Sequence, residues 1–475
     1  MRFRLAQRSG TLALALLAIP AQAALAAPNA CHMAKAAFCE TFDAPAPTGN
    51  RSGGLDGTLW GVSRQLGSIN FGQEQYYDVS PTTMLGCGAD KTVQPPADVA
   101  ICNGRLVEAQ TDQHGVTSLA MYPKQPFDIA GRMGIISFEV SDDSHGNHRA
   151  WPELWYTDQP LPAPFTHFSS LQSVPRNGFG VRFAAFCPAN VPGCGVRPAC
   201  PDEPADVNVI TVDSAVVVNN YVSNDSFTDV GVGPIKVTQV GCVKASSGPG
   251  DMNRFVLHVW PHQITVFGTD AGTVAPLKKI AVITRMSLGL TRGLVWLEDV
   301  HYNGDKDGTD QGTHTFTWDN LGFDGPVLPR DLAYDVPDAM APIEGYPGLL
   351  NMGWNLPTAK DVTPLTLHVH DVAHIADAAG ALLTFNYSSY NPVTVSYRLN
   401  YGAWHQQPWP FGACYTQNDF VLCGSKTIAV PVALSEVKAG TNTIQFRSSD
   451  ATAIANVDLI LQGAGGIPAA PEPDP

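Results

Sequence analysis

The chain has 475 residues and a formal net charge of −15 at pH 7, with only 15% charged residues. An acidic chain without a basic stripe cannot neutralise a phosphate backbone, so no nucleic-acid partner is expected. A chain of this length exceeds what one hydrophobic core usually serves, which predicts two domains.

The N-terminal residues, MRFRLAQRSGTLALALLAIPAQAALA, join three arginines to a short apolar run and to small-residue sites of the A-x-A kind. This pattern is typical of a secretory signal peptide, which we place at residues 1–26. No later segment reaches the roughly 18 consecutive apolar residues that a membrane span needs. We therefore expect a secreted monomer, periplasmic or extracellular, without a membrane span.

All ten cysteines follow the signal peptide, and an even number suits an oxidising compartment. Their spacing favours three local disulfides: Cys31–Cys39, Cys87–Cys102 and Cys414–Cys423. The remaining four cysteines would form two further disulfides whose connectivity stays open. A metal site is the less favoured alternative for the same residues, Cys187, Cys194, Cys200 and Cys242.

Short runs rich in Val, Ile, Thr, Phe and Tyr recur between turns along the whole chain, and long helical patterns are scarce. This texture predicts an all-β protein. We assign residues 30–325 to one large sandwich and the Pro-rich residues 326–350 to a linker or strap. A second strand series predicts a smaller C-terminal β-sandwich over 351–463, which would precede a disordered tail over 464–475.

The stretch AWPELWY concentrates aromatic residues around one carboxylate. In a strand, alternate side chains share a face, so Trp151, Glu153 and Trp155 would lie together while Leu154 and Tyr156 lie opposite. Indole faces can stack on sugar rings, and a carboxylate between them can accept hydroxyl hydrogen bonds or transfer a proton. This predicts a sugar-binding surface. The alternative is an aromatic piece of core with a solvated or paired glutamate.

The stretch GLVWLEDVHY repeats the arrangement, because alternation places Trp296, Glu298 and Tyr302 on one face. Glycosidic hydrolysis usually needs two carboxyl groups that flank the bond. We therefore pair Glu298 with Glu153 as candidate catalytic residues, with retention or inversion left open. His148, in the HGNH turn before the first strand, is assigned to the mouth of the same cleft as a polar contact.

The loop YNGDKDGTDQGTH places oxygen-bearing side chains at alternate positions around a glycine. Such a pattern resembles the first half of a calcium loop, although the closing glutamate of an EF-hand is replaced by His314. Two interpretations stay open, a solvated acidic hairpin or a structural calcium site; no other cofactor is required. The candidate ligands are Asn303, Asp305, Asp307 and Asp310.

Several segments resemble concanavalin A-like lectin and glucanase domains, and distantly those of family 16 glycoside hydrolases. The opening FCETFDAP…GGLDGTLWGVSR is similar to the start of those domains, and RMGIISFEV…AWPELWYTDQP is similar to their concave strands. RFVLHVWPHQITVFGTDAG resembles a later strand pair. The resemblance implies a jelly roll with an open sugar-binding cleft. The E-x-D-x-x-E strand of family 16 is absent, so its catalytic residues have no counterparts here.

The segments KAGTNTIQF and ANVDLIL resemble accessory carbohydrate-binding modules. Together these features predict a polysaccharide or glycan partner and, foremost, a glycoside hydrolase. The alternatives are a non-catalytic lectin or adhesin, a polysaccharide lyase, or a glutamic peptidase on the same fold. Fold alone does not decide among these functions.

Overall fold

The structure is a computed structural model. It describes residues 31–33, 35–46, 53–56, 59–66, 76–79, 87, 97–111, 116–142, 150–157, 178–184, 204–212, 235–244, 250–273, 276–284, 289–302, 313–336, 340–342, 349–358, 363–388, 393–409, 414–417, 420–423 and 425–466.

Two eight-stranded antiparallel sheets form the larger sandwich. Sheet A has the order β15 (Lys278–Thr284), β14 (Gln263–Gly268), β13 (Asn253–Trp260), β8 (Gly134–Asp142), β17 (Thr313–Phe323), β5 (Leu106–Thr111), β4 (Ala97–Ile101), with β1 (Phe38–Glu40) paired to β17. Sheet B has the order β12 (Ile235–Lys244), β11 (Pro204–Val212), β10 (Gly178–Ala184), β9 (Ala150–Thr157), β16 (Arg292–Tyr302), β6 (Val116–Pro123), β2 (Trp60–Leu66), with β7 (Phe127–Asp128) paired to β16.

The core of this sandwich lies between sheets A and B. Sheet A contributes Phe138, Phe255 and Trp318, and sheet B contributes Leu154 and Leu297, all at most 3% exposed. Every second residue of these strands points inward, because a strand alternates its side chains between two faces. Removing this apolar surface from water is the main stabilising contribution to the sandwich.

Two smaller sheets form the C-terminal sandwich around a core of their own. Sheet C has the order β18 (Leu332–Asp335), β30 (Ala453–Gln462), β23 (Gly380–Ser388), β28 (Ser425–Val432), with β21 (Trp354–Asn355) paired to β30. Sheet D has the order β22 (Leu365–Val372), β29 (Gly440–Ser448), β24 (Val393–Leu399), β25 (His405–Trp409). Short 3₁₀ turns occupy Ile375–Asp377 and Leu434–Glu436.

The remaining strands form two small units. One is a three-stranded sheet of β19 (Met340–Pro342), β20 (Leu349–Met352) and β3 (Tyr76–Val79), and the other is a hairpin of β26 (Cys414–Gln417) and β27 (Phe420–Cys423). The segment predicted as a linker or strap therefore contains β18, β19 and part of β20. Just before β18, the N–H of Leu328 donates to the carbonyl of Pro126 at 2.9 Å, which fastens the chain to the larger sandwich.

Sheets B and C pack against each other. Ile460, which is 1% exposed on β30, joins a buried cluster with Trp155 and Trp296 of sheet B, and Ala333 and Leu382 pack against it. The four sheets thus stack in the order A, B, C, D. The prediction of an all-β chain with a large sandwich and a smaller one after it is confirmed.

Two predicted disulfides are present, Cys31–Cys39 and Cys87–Cys102. In the hairpin, Cys414 and Cys423 occupy directly opposite backbone positions. Cys187, Cys194 and Cys200 lie outside the described residues. Nor does the described part of the chain contain a helix long and apolar enough to cross a bilayer.

Candidate functional site

Glu153 and Glu298 are direct neighbours across two strands. Strands β9 and β16 pair antiparallel, and the register sets Glu153 opposite Glu298 and Trp155 opposite Trp296. Side chains of directly opposed residues leave a sheet on the same face, with Cβ atoms about 4.5–5.5 Å apart. The fold therefore brings the two predicted catalytic glutamates together on one face of sheet B.

Both carboxyl groups are buried, with Glu153 0% and Glu298 1% exposed. The indole N–H of Trp155 donates to Glu153 Oε2 at 3.0 Å, which fixes this carboxylate and offsets part of its desolvation. On the opposite face, Leu154 and Tyr156 belong to the core of the larger sandwich. The alternation expected for AWPELWY is therefore observed for the described side chains. Two adjacent carboxyl groups in a dry setting are suited to proton transfer or to nucleophilic attack.

An aromatic row runs beside the glutamate pair and consists of Tyr122, Trp155 and Trp296. Gly180 lies opposite Trp155 in the register, and a Cβ there would approach the Trp155 ring to 2.7 Å. Gly180 therefore makes room for the indole to lie flat on the sheet. The row is covered on its other side by Ile460 of sheet C, and both tryptophans are 0% exposed. A sugar ring can reach these indoles only if sheet C moves away.

The other members of the predicted site are described in part or not at all. Trp151 lies opposite Val300 in the β9–β16 register, and Tyr302 ends β16 opposite Val116; for Trp151 and Tyr302 only the backbone is described. His148 lies outside the described residues. So do the four candidate calcium ligands, Asn303, Asp305, Asp307 and Asp310.

The described residues contain no cluster of three or more His, Cys, Asp or Glu side chains that could hold a metal. The calcium site stays a prediction for the loop between β16 and β17.

A second carboxyl pair lies inside the larger sandwich, where sequence reasoning did not place one. Glu108 of β5 and Asp299 of β16 are both 0% exposed and come from opposite sheets. Burial raises the pKa of Glu108 well above its ordinary range, and the nearby charges of Asp299 and Glu298 raise it further, while Trp318 partly offsets this. Glu108 lies two residues after the core residue Leu106 in LVEAQT and therefore shares its inward face. This spacing is the sequence signal for a carboxylate that points into the core.

No protein-family model and no curated protein matches the chain. Among solved structures, the chain is similar to an immunostimulatory antigen and pseudo β-1,3-glucanase of Mycobacterium tuberculosis, at 10% identity, a TM-score of 0.34 and coverage of 62% of this chain and 99% of the other.

Two other similar structures are an alginate lyase and the VIP36 exoplasmic/lumenal domain. The alginate lyase AlyC3 in complex with dimannuronate has 11% identity and a TM-score of 0.31, with coverage of 59% of this chain and 94% of the other. The VIP36 exoplasmic/lumenal domain in a Ca²⁺- and mannobiose-bound form (Man2) has 14% identity and a TM-score of 0.29, with coverage of 50% and 86%. No residue role passes from these proteins to this chain.

Proposed function

We propose that this chain is an exported, carbohydrate-active protein that hydrolyses a glycan with Glu153 and Glu298. The observation that carries the proposal is their direct cross-strand pairing on one face of sheet B. Retaining glycosidases hold their two carboxyl groups about 5–5.5 Å apart, and inverting enzymes hold them about 6.5–9.5 Å apart. In a directly opposed pair the Cβ atoms are about 5 Å apart, and from there the two glutamate side chains can bring their carboxyl groups to the retaining distance.

The hydrogen bond from Trp155 supports a role for Glu153 as the nucleophile. Glu153 accepts the Trp155 N–H and is held in one orientation, as a nucleophile requires. Glu298 would then donate a proton to the leaving oxygen and later activate water. Because Trp155 and Trp296 are covered by sheet C, the glycan would approach the pair along β9 and β16 from the side of Trp151.

Export is supported by the two disulfides of the N-terminal region, Cys31–Cys39 and Cys87–Cys102. Such bonds persist in oxidising compartments and are rare in the cytosol. The signal-like residues 1–26 fit the same location.

The test is release of reducing ends from a panel of polysaccharides by the full-length chain. Glu153→Gln and Glu298→Gln should each lower the rate by at least about a hundredfold while glycan binding is retained. Glu139→Gln is the matched control, since Glu139 lies on sheet A and bonds to His32 and Asn320. NMR of the first product should show retention of anomeric configuration. Full activity in Glu298→Gln would refute the proposed dyad.

Glycan binding without turnover is the second candidate, and the complete burial of both carboxyl groups favours it. In that case no polysaccharide is cleaved, yet calorimetry detects binding that weakens when Trp151 is replaced by alanine. Appearance of the ultraviolet absorbance of an unsaturated uronate would instead identify a lyase.

A further inference from the structure

The outer face of sheet D lies at the opposite end of the four-sheet stack from the larger sandwich. Leu367, Val395 and Phe446 point from sheet D into the C-terminal core. The alternate residues of the same strands therefore point away from sheet C. This face is built by short polar and basic side chains, with Thr366 and His368 on β22 exposed.

Two arginines and one tryptophan form the centre of this face. The guanidinium carbon of Arg398 lies 4.5 Å from the ring centroid of Trp404, and that of Arg447 lies 4.3 Å from it. Arg398 is on β24 and Arg447 is on the neighbouring β29, where Arg447 pairs with Ser396. Both guanidinium groups are thus gathered on one indole, an arrangement that favourable cation–π contacts stabilise.

Hydrogen bonds to side chains of the neighbouring strands also hold the guanidinium of Arg398 in place. Its Nε donates to Gln445 Oε1 at 2.7 Å, and the Gln445 amide in turn donates to Thr366 Oγ1 at 3.0 Å. A guanidinium that stacks on an aromatic ring keeps its N–H edge available for an acceptor. That edge matches the two oxygens of a carboxylate in bidentate geometry.

The charge of this face contrasts with that of the protein. The whole chain carries −15, yet in the described part of the chain neither Arg398 nor Arg447 forms an ion pair with a carboxylate. Tyr401, 65% exposed in the β24–β25 turn, adds an aromatic surface 5.9 Å from the Arg398 guanidinium carbon. Exposed aromatic rings bind sugar faces, and preorganised arginines bind anions.

We propose that Arg398, Arg447, Trp404 and Tyr401 form a second binding site, which takes a carboxylate-bearing polysaccharide. The arginines bind the uronate carboxylates, and Tyr401 packs on a neighbouring sugar ring. A polyuronate fits better than a sulfated chain because the planar guanidinium edge matches a planar carboxylate. The site does not depend on Glu153 and Glu298, since it lies on the other side of sheet C.

The experiment is affinity electrophoresis and calorimetry of the full-length chain with polygalacturonate and alginate, and with neutral β-glucan, neutral mannan and dextran sulfate for comparison. The expected result is binding to the polyuronates that weakens with added salt and is absent with neutral chains. The double variant Arg398→Ala/Arg447→Ala should bind about ten- to a hundredfold more weakly. Because Arg→Lys keeps the charge but loses the fork, Arg398→Lys/Arg447→Lys should restore only part of the affinity.

Lys279→Ala provides the control, because Lys279 is exposed on the edge strand β15 of sheet A. It should leave polyuronate affinity unchanged, and thermal unfolding should show that all variants remain folded. Three outcomes would overturn the proposal: no binding to either polyuronate, equal loss in Lys279→Ala, or equal affinity for dextran sulfate. Glu298→Gln should keep this binding, which separates the second site from the hydrolase proposal.

Discussion

Arg292 and Asp331 form an ion pair between the two sandwiches, with Arg292 Nη2 3.0 Å from Asp331 Oδ1. Arg292 begins β16 in sheet B, and Asp331 immediately precedes β18 in sheet C. The same Asp331 oxygen accepts the backbone N–H of Gly463 at 2.7 Å. One carboxylate therefore joins the first strand of the C-terminal sandwich to the end of its β30 and to the larger sandwich.

Replacing Asp331 should weaken this junction mainly through the lost acceptor. Burial raises the pKa of Asp331 by more than Arg292 and the Gly463 N–H lower it, so the negative charge as such does not stabilise the fold. Asp331→Ala should lower the free energy of unfolding by about 1–3 kcal/mol. Asp331→Asn, which keeps an acceptor oxygen, should cost less than half as much in urea unfolding.

A surface ion pair serves as the control for this comparison. Lys278 Nζ lies 2.9 Å from Asp270 Oδ2, and the two side chains are 69% and 35% exposed. Lys278→Ala should change stability by no more than about 1 kcal/mol. A larger effect at Lys278 than at Asp331 would contradict the role given to the junction.

Gly180 should be intolerant of any side chain. A Cβ at this position would lie 2.7 Å from the Trp155 ring, and the indole cannot retreat because Ile460 covers it. Gly180→Ala is expected to cost about 1–3 kcal/mol through overpacking. Gly250→Ala is the matched control, since nothing lies within 4 Å of its Cβ. Equal unfolding midpoints for the two variants would contradict the packing of Trp155 between sheets B and C.

Strand alternation explains what the sequence could predict about the site. The shared face of Glu153 and Trp155, and the opposite face of Leu154, follow from the period of a single strand. The pairing of Glu153 with Glu298 does not, because a shift of one residue between β9 and β16 would move one glutamate to the other face. Strand alternation predicts two candidate glutamates, and the register between β9 and β16 brings them together.

The period of a single strand does not predict which strands that are distant in sequence pack against each other. The aromatic pattern of Trp155 and Trp296 suits a sugar platform and a domain interface equally well, because both uses need a broad apolar ring. Packing against Ile460 of sheet C decides how the rings are covered. Likewise, the charge of Asp299 acts on Glu108 only because sheets A and B face each other.

Glu108 should make stability fall as the pH rises. Its folded-state pKa is raised above the ordinary 4.5 by burial and by the charge of Asp299, so the folded chain keeps a proton that the unfolded chain loses. The stabilisation that comes from this bound proton is complete below the ordinary pKa of 4.5, and it is lost as the pH rises through the raised pKa of the folded chain. For one proton, the free energy of unfolding falls by at most about 1.4 kcal/mol per pH unit.

Glu108→Gln mimics the protonated side chain and should therefore flatten the part of the stability profile above about pH 4.5, measured by urea unfolding from that pH into the alkaline range. Glu139→Gln should leave that part unchanged, because hydrogen bonds from His32 and Asn320 outweigh burial and lower the pKa of Glu139. If Asp299→Asn flattens the profile and Glu108→Gln does not, the proton resides on Asp299 and the assignment is wrong.

The hairpin of β26 and β27 should be closed by a disulfide between Cys414 and Cys423. The two residues are directly opposed, and opposed residues of antiparallel strands have Cα atoms about 4.5–5.5 Å apart, within the range of a disulfide. The chain between them contains Asp419 and no Lys or Arg. Cleavage before Asp419 should therefore leave two peptides that stay joined until a reductant is added.

Mass spectrometry of the non-reduced digest detects the linked peptides of Cys414 and Cys423, and the Cys87–Cys102 disulfide serves as the positive control. A bridge from Cys414 or Cys423 to Cys242 would instead tie the C-terminal sandwich to β12 of sheet B and would contradict the hairpin pairing. Cys423→Ser should lower stability by about 2–3 kcal/mol, since a short closed loop removes only a modest part of the entropy of the unfolded chain.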